Sequence, residues 1–296
     1  MTTSDTARGL LSTHDRRGLR IRGIFVPVQV LLFVAVALAG LVPLLWMAKG
    51  AISPTQELLR EPLRLWPSDP QWTVLSDAWS RLRIGHYLFN TVVLVGGSWL
   101  VQLIVAATGA FALSILRPWY GRYVEAAVLA TLFVPGTVSL IALYLTILDL
   151  PVTGGSIANT PLAIWLPAGA NAFNFLIMKR FFDAIPRELF EAAEVDGAGP
   201  WRLFVQIMLP MSRPIIAVVS LLSVMSAWKE FLWPLVAISD AERQPLAVAL
   251  PRLAESSELN QLIAGMLIAT VPPLLLFLVF QRHIIRGVGG FAGVKG

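Results

Sequence analysis

The chain has 296 residues, 56% of them hydrophobic and 14% charged, with a net charge of +5. A soluble domain of this length carries about a quarter charged residues, so much of this surface is not built for water. There is no cysteine, which excludes disulfides, thiolate metal ligands and thiol nucleophiles. The histidines His14, His86 and His283 form no cluster.

The apolar residues are gathered into runs. No charged residue falls between Ile84 and Leu116, and none between Leu150 and Met178. A hydrocarbon core of ~30 Å takes about 20 apolar residues in a helix, and lipid offers no partner to an unpaired backbone group. The runs are too long and too uniform for barrel strands, so they predict an all-α integral membrane protein.

In chain order, residues 1–23 read as a basic N-terminal tail and 24–48 as the first transmembrane helix. Its apolar stretch is too long for a signal peptide, and no small-residue cleavage site follows before Lys49. Residues 49–84 read as an external segment whose Trp66, Trp72 and Trp79 suit a membrane interface. A permease-like domain over 85–283 then holds five further spans, Tyr87–Leu116, Ala126–Leu148, Pro161–Met178, Pro214–Ile238 and Leu259–Phe280, followed by a tail at 284–296. Fifteen Lys and Arg fall on the side of the two termini and seven on the other, with Lys229 inside a span. Basic residues stay in the cytoplasm, so both termini and the loop 179–213 are expected there.

That loop contains Pro186-Arg187-Glu188-Leu189-Phe190-Glu191-Ala192-Ala193-Glu194, a proline followed by early acids and good helix formers, which predicts a short helix. Asp196-Gly197 breaks it, glycine being free to take positive φ. Pro200 starts a second helix that ends at Leu209-Pro210. The pair predicts a compact knob, with small Ala192, Ala193 and Ala198 allowing close approach of another surface.

Glu191, Ala192, Ala193, Gly197, Ile207, Leu209 and Pro210 fill the pattern Glu-Ala-Ala, three residues, Gly, nine residues, Ile, one residue, Leu-Pro. Average residue usage gives a chance match of roughly 10⁻⁸ per starting position. The pattern resembles the signature of permease subunits of binding-protein-dependent ABC importers. The resemblance implies a type-1 importer transmembrane domain of six helices. It also implies that 183–210 is the coupling loop seated in an ATPase subunit, with Glu191, Ala192, Ala193, Asp196, Gly197, Ala198, Ile207, Leu209 and Pro210 at that contact. No stretch fits Gly-x-x-x-x-Gly-Lys-Ser/Thr, so the chain is expected to bind no cofactor and to leave ATP and Mg to partners. Those partners would be a homologous second permease, two ATPase subunits or a homodimer, an external solute-binding protein and the lipid bilayer, with no nucleic acid. The place would be the bacterial cytoplasmic (inner) membrane.

Three features resemble the carbohydrate-uptake branch, specifically its maltose-type second permease. The ending Phe291-Ala292-Gly293-Val294-Lys295-Gly296 is close to that branch's Gly-Ala-Val-Lys-Gly, and implies Gly293, Lys295 and Gly296 near the ATPase. Asn90-Thr91 opens span two, where the branch has Asn and a small hydroxyl residue. Trp228-Lys229-Glu230-Phe231-Leu232-Trp233-Pro234 stands where the branch has Trp-Asn-Glu/Asp-Phe, with Lys229 replacing the amide. Asn90, Lys229, Glu230, Phe231 and Trp233 are therefore candidates for the solute path. On a continuous helix Lys229 would lie about 13 Å from Ile238, where its stem could also carry the ammonium to the interface.

The expected function is a non-enzymatic sugar permease of an ATP-driven importer. The alternatives are a permease for another polar solute such as glycerol phosphate or a polyol, and an ion-coupled secondary transporter. The last would bury several carboxylates in its spans, whereas here Glu230 is nearly alone.

Overall fold

The computed structural model describes the backbone of residues 19–151 and 153–293 and the side chains of 25–151 and 153–280. All regular elements among the described residues are helical. The first, α1 (Leu19–Ile52), is apolar all round and leaves Leu31, Phe33, Val36 and Leu45 exposed, as a helix does when lipid or another apolar surface covers it. It runs past the expected end at Ala48, so Lys49 is buried over the Trp46 ring, 5.2 Å from its centroid.

The segment that follows is folded. It holds α2 (Thr55–Arg60) and α3 (Val74–Arg81). The amide of Ser68 donates to Glu57 at 3.0 Å and its hydroxyl donates to the same carboxylate. These bonds hold the Glu57 carboxyl below its ordinary value of 4.5. Trp66, Trp72 and Trp79 are all exposed.

The central helix is α4 (Ile84–Phe111), carried on through a wider π-type turn to Leu116. It packs against the later helices over 162–168, 172–183, 213–229 and 246–254. Gly97 is required there: a Cβ would stand 2.1 Å from the Trp165 ring, whose indole donates to the Val93 carbonyl at 3.2 Å.

Beyond it the expected continuous spans are divided. In place of 126–148 stand α5 (Gly121–Thr131) and α6 (Leu140–Leu148). Pro135-Gly136 lies between them, where proline removes a helix donor and glycine weakens the helix. In place of 161–178 stand α7 (Leu162–Ala168) and α8 (Ala172–Asp183), with Asn171 accepting from the Asn174 amide at 2.9 Å to cap the second. Next come α9 (Glu188–Val195), α10 (Pro200–Arg202), a π-type stretch over Leu203–Met208, and α11 (Leu209–Met211). The run 200–211 meets α12 (Arg213–Lys229) at 79°. The expected helix 214–238 stops at Lys229. Glu230 is extended (ψ 126°) and α13 (Leu232–Ala237) restarts it. Then follow α14 (Leu246–Ala254) and α15 (Leu259–Gly293). Among the described residues three helices can cross a membrane by length and composition, Phe25–Ile52, Ile84–Leu116 and Leu259–Phe280, with the bent pair as a fourth.

Three apolar clusters hold the bundle. One joins the end of α4 to α8, α9 and the start of α12 around Phe182, Leu203 and Met208. A second gathers α3, α4, α14 and α15 around Ile84 and Leu246. The third, around Ile147, Ala163 and Ile238, ties α6, α7 and the end of α13.

Candidate functional site

The signature residues lie on an exposed knob. Glu188 and Glu191 sit in the first turn of α9, where acids complement the helix dipole. The helix ends in a Schellman closure. The Ala198 amide donates to the Ala193 carbonyl and the Gly197 amide to the Glu194 carbonyl, both at 2.9 Å, the two crossed bonds that satisfy the last carbonyls. Gly197 takes φ +82°, as the Asp196-Gly197 turn predicts. Nothing lies within 4 Å of where its Cβ would stand, so glycine is demanded here by the dihedral alone.

Proline at Pro200 opens the second helical run. Its inner face is buried through Leu203, Phe204 and Met208, at 1%, 8% and 0% exposure, and Phe190 joins them from α9. Each such side chain contributes about 1.5–3 kcal/mol on burial, enough to seat the knob rigidly. The outer face presents Glu191, Ala192, Glu194, Asp196, Gly197 and Pro210 to solvent, with Val195 and Trp201 at 87% and 74% exposure. Ala193, Ala198, Ile207 and Leu209 are half-buried against the cluster. An apolar and acidic surface on a rigid mount can dock a protein.

Beside the knob, Lys179 of α8 is buried and pairs with Asp183 at 2.8 Å and Glu125 of α5 at 3.1 Å. Burial disfavours its charge, but the hydrogen bonds to Asp183 and Glu125 outweigh this and hold its pKa above the ordinary 10.5. Nothing in the sequence linked Lys179 to Glu125, which lie 54 positions apart.

The solute-path candidates are divided by the structure. Glu230 and Trp233 line a cavity of about 230 Å³ between α4, α7, the α7–α8 break, α12 and α13. Trp233 is fixed by its indole, which donates to the Ala163 carbonyl at 3.0 Å, and by its amide, which donates to Glu230 Oε1 at 3.3 Å. Asn90 is engaged elsewhere: its amide group donates to the carbonyls of Glu242 at 2.7 Å and Gln244 at 3.1 Å. Lys229 and Phe231 are exposed and lie outside the cavity wall. Because α12 ends at Lys229, the helical distance to Ile238 does not apply. Of the C-terminal candidates, Gly293 ends the α15 backbone, and Lys295 and Gly296 lie outside the described residues.

Sequence reasoning missed most of the cavity wall. Thr91, Ser98 and Gln102 from α4, and Ser223 and Ser226 from α12, line it. The spacing of seven and four residues along α4 puts its three polar groups on one helix face, a signal legible in an otherwise apolar run.

A helical membrane bundle bearing this knob is the build of an importer permease subunit. The chain belongs to the family described as binding-protein-dependent transport system inner membrane component, matched over residues 103–290. It is 28% identical over 282 residues to the diacetylchitobiose uptake system permease protein NgcG of Streptomyces coelicolor, covering 94% of this chain and 89% of that one. It is 29% identical over 285 residues to the sn-glycerol-3-phosphate permease UgpE of Pectobacterium atrosepticum, covering 93% and 98%. It is 28% identical over 236 residues to the melibiose/raffinose/stachyose permease MelC of Bacillus subtilis, covering 78% and 84%. Its fold is similar to a chain of a bacterial ABC transporter involved in the import of the acidic polysaccharide alginate, with TM-score 0.76 and 23% identity over 93% of this chain and 99% of that one. The protein is thus a transport subunit of an ABC importer rather than an enzyme. Permeases of this family work with a second permease, an ATPase and a binding protein, and lie in the inner membrane of bacteria.

Proposed function

We propose that this chain forms one half of the pathway of a bacterial sugar importer, with both termini and residues 179–213 in the cytoplasm and six membrane crossings. ATP and Mg would be held by two ATPase subunits, and an external binding protein would deliver the sugar. The knob carries this reading. It places Glu191, Ala192, Asp196 and Gly197 on the surface of a mount whose underside is apolar and buried, so a push there reaches α4, α8 and α12 without loss in a loose loop. Sugar-permease relatives support the solute class.

The test is Gly197→Val. A β-branched residue at φ +82° is strained by about 1–3 kcal/mol, at a site with room for the side chain. The variant is expected to insert and assemble yet fail to couple ATP hydrolysis to uptake, read as ATPase rate and solute uptake in the same proteoliposomes. Wild-type uptake would remove the knob as the transmission point. A second reading, a glycerol phosphate permease, is favoured by the UgpE relative, and uptake of labelled sn-glycerol 3-phosphate against labelled sugars separates the two.

A further inference from the structure

Two helix interruptions meet at the same cavity. Ala170 and Asn171 come from the break between α7 and α8, with Pro167 in the last turn of α7. Glu230 comes from the break between α12 and α13, with Trp233 and Pro234 in the first turn of α13. Irregular backbone at membrane depth is tolerated where it lines a cavity, and transporter sites are built at such discontinuous helices. The wall itself is polar in a restricted way. Thr91, Ser98, Gln102, Ser223 and Ser226 are neutral groups, and no lysine or arginine is among the lining residues. Ser98 is 3% exposed, and its hydroxyl has no hydrogen-bond partner among the described residues.

We infer that this cavity is a solute subsite carried within this one subunit, and that it takes a single uncharged sugar ring while rejecting phosphate esters. This deepens, and rests on, the reading of the chain as an importer permease. Hydroxyls and amides both donate and accept, as sugar hydroxyls do. The Thr91 hydroxyl is spent on the Tyr87 carbonyl and the Leu246 amide, and Ser223 accepts from Asn174, so Ser98, Gln102 and Ser226 are the groups that can match a ring. A phosphate ester is held chiefly by cationic donors that pair with its charge, and none lines this wall. The one ionisable lining group here is the Glu230 carboxylate, which repels it. Trp233, held at both its indole and its amide, offers a fixed aromatic face for the apolar side of a sugar. A volume of about 230 Å³ lies below the ~300 Å³ at which ordinary ligand clefts begin, which suits one ring or one end of an oligosaccharide.

The chain contains no cysteine, so a single introduced thiol reports without background. Ser226→Cys places it at an exposed position on the wall, and Thr153→Cys on an exposed loop serves as control. Labelling by a neutral methanethiosulfonate is followed in membrane vesicles holding the whole importer without ATP. The probes are melibiose, lactose, N,N′-diacetylchitobiose and sn-glycerol 3-phosphate. At least one sugar is expected to slow labelling of Ser226→Cys by the factor 1 + [L]/Kd, about fourfold at three times its Kd, with the control unaffected. Glycerol phosphate is expected to give no protection. Adding Gln102→Leu should abolish protection, read as the ratio of that variant's own labelling rates with and without sugar. Protection by glycerol phosphate, or equal labelling with and without every sugar, overturns the subsite. Absence of ATP-driven uptake of any solute by the same vesicles would instead count against the proposed function, whatever the labelling shows.

Discussion

Both ends of the bundle have an apolar cluster, but they differ in the polar bonding added to it. At the knob end, large apolar side chains do the work. Phe182, Leu203 and Met208 are almost fully buried, and the ion-paired Lys179 stands beside them. At the opposite end, the turn over Ala241–Arg243 is stitched to the start of α4 by polar groups. His86 Nε2 lies 2.6 Å from the Glu242 carbonyl, Asn90 donates to Glu242 and Gln244, and Arg83 pairs with the Glu242 carboxylate at 2.8 Å. Dispersion and burial do not depend on angle, so the knob end tolerates tilting of its helices as a unit. Hydrogen bonds are directional, so the other end holds one register and releases it by discrete breaks.

The largest expected effect breaks the knob end. Met208→Ala empties a site of 0% exposure and should cost about 2–5 kcal/mol, read as a fall in thermal unfolding temperature in detergent. If the knob end instead depended on its charges, the loss would be small. Asn90→Ala sharpens the other side of the contrast. It removes the side-chain donor of the Gln244 carbonyl and leaves the Glu242 carbonyl with His86 alone. It should cost about 0.5–1.5 kcal/mol, with faster hydrogen exchange confined to the 239–246 turn. The smallest effect is the alkaline one. Lys179 has its pKa raised above 10.5, so the stability it contributes is complete below pH 10.5 and is lost as pH rises through the higher folded value. The unfolding temperature of the wild type should therefore fall over that window by more than that of Lys179→Met.

What was legible in the sequence was local. The Asp196-Gly197 turn and the helix start at Pro200 depend on neighbouring residues, and both stand where the pattern puts them. The membrane class followed from long uncharged runs, which survive any detail of folding. The divided helices escaped notice because hydropathy averages across a break: 161–178 remains apolar whether or not it stops at Gly169–Asn171. Pro135-Gly136 and Pro167 were the available warnings. Asn90 resembled a path residue by position, but its partners lie 152 and 154 residues away, and no local pattern encodes a contact of that span. Lys179 and Glu125 meet for the same reason. The polar stripe Thr91, Ser98 and Gln102 was readable, since a helix face is a periodicity and needs no partner to be seen.

The 79° corner between the run 200–211 and α12 has a mechanical consequence. Ser212 fills it at 0% exposure, its amide donating to the Met208 and Leu209 carbonyls while its own carbonyl accepts from Ile216, so the corner is braced. A run of this length at helical rise is a crank arm of roughly 18 Å. The component of a force on exposed Trp201 that lies perpendicular to both the arm and α12 therefore acts on α12 as a torque about its long axis. Ser223 and Ser226 ride on that same shaft, so a few degrees of crank would turn their hydroxyls toward or away from the Gln102 side of the cavity while leaving the length of the helix unchanged.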